Sequence, residues 1–153
     1  MPLKSKLKIN KKALAAFEEL QRVGGEVQWG LPDAPEVEDY DDDTSVRMVA
    51  FVQEFGHENI PARGYFKRSA KKRRRELKQA SQDVMFAVAA GRLSVEKALD
   101  LVGQQAAATL RKDLTDFKDP GNAPSTIARK GFDNPLIETG HLRSQITHKT
   151  EQS

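Results

Sequence analysis

The chain has 153 residues, 38% of them hydrophobic and 7% aromatic, with a formal net charge of +3; this suits one domain, spanning 1–153, with a modest core of its own. It has no cysteine, which excludes disulfides, thiolate zinc sites and cysteine nucleophiles. No run of about 18 apolar residues occurs, so no spanning helix is expected, and Met1-Pro-Leu-Lys-Ser-Lys6 lacks the apolar region of a secretory signal.

In chain order, Leu3, Leu7 and Ile9 alternate with Lys4, Lys6 and Lys8, the period of two of a basic edge strand. Asn10 is a plausible cap for a short amphipathic helix whose stripe is Ala13, Leu14, Ala16, Phe17 and Leu20, ended by Gly24-Gly25. Glu26 to Leu31 reads as a second strand stopped by Pro32. Pro32 to Thr44 has no periodicity and carries seven acids between Asp33 and Asp43, Asp39, Asp41, Asp42 and Asp43 among them; it reads as a long exposed acidic loop. Asp39, Asp41 and Asp43 mimic the start of a calcium loop, but Thr44 and Ala50 stand where its glycine and terminal glutamate belong, so no metal is expected.

The apolar run Val46 to Val52 predicts a strand with much of both faces covered. Gln53 to Arg63 is rich in turn residues, and Pro61 disfavours helix for the residue before it, so the next helix is expected to start near Ala62. Within it, Lys71, Lys72, Arg73, Arg74 and Arg75 point all round the axis, so something wet or acidic must surround that level. Leu77, Ala80, Val84 and Val88 form an apolar stripe beyond it. The helix is therefore expected to dock at its far end and project at its basic one.

Ser94 caps a further helix, expected to reach about Phe117, with Val95, Ala98, Leu99, Val102, Ala106, Leu110 and Leu114 on its stripe. The short break favours an antiparallel pair, with Gly103 and Ala106 to Ala108 offering the alternative of a close helix approach. Asp119 to Pro124 is a loop and Ser125 to Lys130 a helical turn or two; Thr139 is the cap candidate for Gly140 to Ser144, and Gln145 to Lys149 reads as a last strand. The fold class expected is α+β: a small, mostly antiparallel sheet against two long helices, with an irregular C-terminal segment.

No phosphate-binding glycine loop or dinucleotide fingerprint occurs, and His57, His141 and His148 lack the spacing of a zinc protease pair. Neither an enzyme nor a cofactor is expected. The basic run suits either a subunit contact or nucleic-acid phosphates, though no aromatic stacking series accompanies it. Segregated acidic and basic stretches favour self-association.

Two stretches, Val52-Gln-Glu-Phe-Gly-His-Glu-Asn-Ile-Pro-Ala-Arg63 ahead of a long helix and Pro135-Leu-Ile-Glu-Thr-Gly-His-Leu-Arg-Ser144, in this order resemble the tail-completion, or virion-morphogenesis, family of tailed bacteriophages. Ser125-Thr-Ile-Ala-Arg-Lys130 is similar to the segment that precedes the second motif there, whereas Gly64-Tyr65 departs from the pattern. The resemblance implies a structural protein of the head-to-tail junction that assembles as a homo-oligomeric ring, a hexamer or dodecamer, on other neck, connector or tail proteins. It implies location in the virion after assembly in the host cytoplasm, with passing DNA contact at most and no membrane. A tail-terminator or minor tail protein is the same class at another station, and a small nucleic-acid-binding protein is the alternative outside it. The positions carried over are Glu54, Phe55, Gly56, Pro61, Ala62 and Arg63, then Pro135, Leu136, Glu138, Thr139, Gly140, Leu142 and Arg143. The acidic loop and the Lys71 to Arg75 level are the expected complementary faces of a ring.

Overall fold

A computed structural model of the chain describes residues 11, 14, 15, 18, 25–32, 44–136 and 140–152. The expected strand Leu3 to Ile9, the acidic residues Asp39, Asp41, Asp42 and Asp43, and Glu138 and Thr139 lie outside the described residues. Lys11, Leu14, Ala15 and Glu18 are helical, within the first predicted helix.

The elements run β1 (Gly25–Gly30), α1 (Val46–Phe55), α2 (Tyr65–Ala89), α3 (Val95–Thr115), α4 (Pro124–Lys130), α5 (His141–Ser144) and β2 (Thr147–Gln152). The fold is α+β. The strands β1 and β2 pair antiparallel, from Gly25 opposite Gln152 to Gly30 opposite Thr147, and the sheet packs on α3. No helix among the described residues is long and apolar enough to cross a membrane.

The two long helices form because their apolar positions recur at helical spacing. On α3, Ser94 accepts a hydrogen bond from the Lys97 N–H at 3.2 Å, and Glu96 sits in the first turn, where the helix dipole favours an acid. Its stripe buries Val95, Ala98, Ala106, Ala107, Leu110 and Leu114. Leu110 and Leu114 lie at the centre of the main core with Val46, Ala50, Tyr65, Leu136, Leu142 and Ile146, each such leucine contributing about 2 kcal/mol by burial. A second cluster, Val88 with Val95 and Ala98, joins the far end of α2 to the start of α3.

Four expectations are corrected. Val46 to Val52 is helical, part of α1. An unbroken apolar run does not distinguish a strand from a helix by itself; here Ser45 accepts the Met48 N–H at 3.1 Å as an N-cap, and Val46 and Ala50, one turn apart, face the core. The helix leaves Met48, Phe51 and Phe55 outside, 57%, 60% and 65% exposed. The long helix begins at Tyr65, not near Ala62, because the Arg63 and Gly64 N–H groups donate to the carbonyls of Gln53 and Glu54, both at 3.0 Å, and Gly64 at the cap is left-handed at φ 57°. Nor does its basic end project: Ser69, Lys72 and Arg73 all bond to Asp113 on α3. Finally, α5 starts at His141 with Gly140 at the cap position, left-handed at φ 80° and with no side-chain cap, so the start lies one residue later than a Thr139 cap requires.

Gly103 does mark a close approach, but of a strand: a Cβ there would meet the His148 side chain of β2.

Candidate functional site

The chain from α1 to α2 turns back on itself tightly. Gly56 ends α1 at φ 80°, its N–H donating to the Val52 carbonyl, and a Cβ there would lie 2.8 Å from the Ala62 nitrogen. His57 and Ile60 exchange backbone hydrogen bonds around Glu58, which has φ 43°. The turn therefore needs Gly56 for both its dihedral and its space.

Glu54 lies one turn above this hairpin. Its carboxylate accepts the N–H groups of Phe66 at 2.8 Å and Lys67 at 3.2 Å, the first free donors of α2. The cap residue Gly64 supplies no side chain for that task, so a neighbouring helix supplies it. A negative charge there also opposes the positive end of a 25-residue helix. Burial, and secondarily the Glu54 carboxylate, pushes the Tyr65 hydroxyl well above the ordinary tyrosine value. We expect Glu54→Gln to lower stability by about 1 kcal/mol, the usual worth of a helix cap with charge, measured by urea denaturation.

Arg63 is 4% exposed, deep for an arginine. Its Nη1 donates to Gln53 Oε1, and its Nη2 donates to the Gly121 carbonyl at 3.4 Å. Burial lowers its affinity for the proton, and the field of Asp133 offsets this in part. Among the described residues no carboxylate lies within ion-pair distance of it. Arg63 lines a cleft of about 280 Å³ together with Asn59, Pro61, Asn122, Thr126, Arg129 and Pro135. Three stretches far apart in sequence, 53–63, 122–130 and Pro135, thus meet at one place. The wall is fixed on its far side by Asn134, whose Nδ2 donates to the Thr115 carbonyl at 2.8 Å, and by Lys130 Nζ, which donates to the Asn134 carbonyl at 2.9 Å.

The basic level lies elsewhere, along α2. Asp113 accepts from Arg73 Nε at 2.9 Å and Nη2 at 2.7 Å, from Lys72 Nζ at 2.9 Å and from Ser69 Oγ at 2.8 Å. Burial alone would raise the Asp113 carboxyl; these donors outweigh it and hold the group below the usual carboxylate range. Arg73, bonded to Asp113 and to Glu76, holds its proton more tightly than an ordinary guanidinium. Lys71, Arg74 and Arg75 are exposed and have no ion pair among the described residues.

The remaining positions singled out by sequence divide clearly. Phe55 is exposed and packs on Phe51, ring centres 4.7 Å apart. Pro61 and Ala62 are exposed, while Pro135, Leu136 and Leu142 are buried. Arg143 is exposed on α5. Of the histidines, His148 Nε2 lies 2.9 Å from Asp100 Oδ1, and His57 is exposed. Hydrogen bonds from Lys97, His148 and Gln104 bring the Asp100 carboxyl down to about 2.

Sequence reasoning missed Asp113, Asn122 and Asp133. Asp113 carried one signal, an acid among the helical positions flanking the α3 stripe, but its partner lies 40 positions away. Asn122 carried none beyond its place in a loop. Comparison with protein-family models, with curated proteins and with solved structures finds no match to this chain.

Proposed function

We propose that the protein is a structural component of the head-to-tail junction of a tailed bacteriophage, a neck or tail-completion protein that assembles into a ring joining or sealing the tail. One observation carries the reading: the three stretches that resemble that family, 52–63, 125–130 and 135–144, come together in this fold. Residues of all three line the Arg63 cleft or, as Leu136 and Leu142, pack in the core against α1. Segments chosen only by their order in the sequence have no need to meet unless they serve a common local structure.

Exposed surface suited to subunit contact supports the ring. Met48, Phe51 and Phe55 put three large apolar side chains on the outer side of α1. Lys71, Arg74 and Arg75 offer three cations to an acidic neighbour, and Asp39, Asp41, Asp42 and Asp43 supply the acids in the same chain. A ring of identical subunits needs two unlike faces that match. Lys72 and Arg73 are excluded from that face, being engaged by Asp113. Charge reversal of Lys71, Arg74 and Arg75 together is expected to abolish assembly and leave a monomer with unchanged melting; rings of normal size from that variant would remove this contact.

The same three cations favour a second reading, a nucleic-acid-binding protein. It predicts DNA retention that falls steeply with salt and disappears on neutralising them. The deciding experiment is electron microscopy of particles from a phage lacking the gene. Filled heads apart from tails, or tails of irregular length, are expected; normal infectious particles would overturn the virion reading.

A further inference from the structure

We propose that the Arg63 cleft is an oxyanion site, built to take one carboxylate or phosphate group between Arg63 and Asn122. This goes beyond the virion reading and does not depend on it.

Two residues that line this cleft each carry an unused donor. Arg63 Nε and Asn122 Nδ2 are buried, and neither has a hydrogen-bond partner. Buried donors are nearly always satisfied, and each one left open costs about 1–3 kcal/mol. Two such donors on residues lining a single cleft are explained together if one acceptor group serves both. The acceptor is an anion because the residue beneath it is a guanidinium. Arg63 has spent Nη1 and Nη2 on neutral acceptors, Gln53 Oε1 and the Gly121 carbonyl. Among the described residues its buried charge has no ion pair, and Asp133, whose field reaches it, is engaged otherwise, its Oδ1 accepting the Asn122 backbone N–H at 3.1 Å. Burial penalises that cation, a cost that the field of Asp133 offsets only in part and that an anion in the cleft would relieve.

The lining agrees. Arg129 and Lys130 are the other cationic residues of its lining, Gln53, Asn59 and Thr126 add neutral polar groups, and no aspartate or glutamate is among the described residues that line it. Its volume of about 280 Å³ admits a phosphate or the carboxylate end of a side chain, and is small for a nucleotide. Two N–H donors matched to two oxygens of one group give charge-assisted hydrogen bonds on a planar frame, the geometry for which arginine is suited. The Gly56 hairpin and the bond from Arg63 to Gly121 position the guanidinium, and the bond to Asp133 positions the Asn122 backbone, before any anion arrives.

The test uses the full chain at constant ionic strength, with inorganic phosphate and acetate titrated separately and sodium chloride as the balancing salt. The readout is the side-chain amide resonance of Asn122, with the melting temperature in parallel. Saturable shifts at Asn122 below about 50 mM of either anion, with a rise in melting temperature, are expected. Saturation by phosphate alone identifies a phosphoryl source, and saturation by acetate alone a protein carboxylate; both outcomes support the site. In Asn122→Ala the affinity is expected to fall at least tenfold while the melting temperature without anion stays the same or rises, because an unsatisfied buried donor has been removed. Arg63→Met is informative only if it folds, so Asn122→Ala decides. A linear response with no saturation, or equal affinity in Asn122→Ala, would overturn the proposal.

Discussion

Replacing Asp113 by alanine is expected to lower the unfolding free energy by about 3 kcal/mol near neutral pH, more than any surface charge in this protein. Most surface ion pairs contribute less than about 1 kcal/mol, because water and salt screen them. Asp113 differs in burial and geometry. Its side chain is 8% exposed, and it receives two hydrogen bonds from a single Arg73 guanidinium that is itself only 20% exposed. Ser69, 3% exposed, completes the site and loses its partner in the variant. Lys72, 61% exposed, adds little. Arg73 retains a bond to Glu76 and a route to water, which keeps the loss at the lower end of that for a broken buried pair.

The same group gives a pH signature. The folded carboxyl lies below its unfolded value near 3.9, so on acidification the unfolded state takes up the proton first. The contribution of Asp113 is thus complete above about pH 4 and drains away as the pH falls further. Wild type and Asp113→Ala should differ most at neutral pH and converge in acid, read from urea midpoints across the pH range. Asp100 behaves alike, its contribution draining between the ordinary value near 3.9 and its folded value of about 2. Equal acid sensitivity of wild type and variant would show that the Asp113 cluster is not coupled to folding.

The second large effect reverses an ordinary rule. In the middle of a helix, glycine to alanine normally stabilises by about 1 kcal/mol. Gly103→Ala is expected to destabilise by about 2 kcal/mol instead. A Cβ at this position would overlap the His148 ring and come within 2.6 Å of its Cγ and 3.0 Å of its Cβ. His148 has no easy retreat: its ring is tied to Asp100 at 2.9 Å, and its backbone is paired with Trp29 across the sheet. Trp29 is in turn stacked on Phe66 of α2, ring centres 5.0 Å apart, so moving β2 disturbs the sheet and both long helices. In a His148→Ala background most of the loss should vanish, the interaction energy of a double-mutant cycle isolating the clash. An unchanged loss in that background would place its cause in α3 alone.

Gly103 illustrates how far the sequence reached. A small residue on a helix stripe announces that something comes close; the partner is not a second helix but a strand some 45 residues later, which the pattern does not encode. The charge run gives the same lesson. Five adjacent cations require acid or water around them, which local geometry alone dictates. That the acid belongs to α3 of the same chain follows only from the antiparallel pairing, which brings residue 73 beside residue 113.

The spacing of apolar residues fixed α2 and α3, because a stripe at three and four is a property of one backbone and repeats over enough turns to outweigh chance. The alternation of Val27 and Trp29 also located β1 to within one residue at each end, whereas β2, expected at Gln145 to Lys149, lies at Thr147–Gln152 and holds no apolar residue to mark it. Over Val46 to Val52 the spacing could not choose, since a short apolar run satisfies either geometry; the Ser45 cap and the core contacts of Val46 and Ala50 decided for helix. Of the Arg63 cleft, the sequence singled out Pro61, Arg63 and Pro135 only through the resemblance of their stretches to a phage family, and Asn122 not at all. The chemistry of the cleft depends on which donors remain unsatisfied after the rest of the chain has packed, and that is a property of the tertiary structure alone.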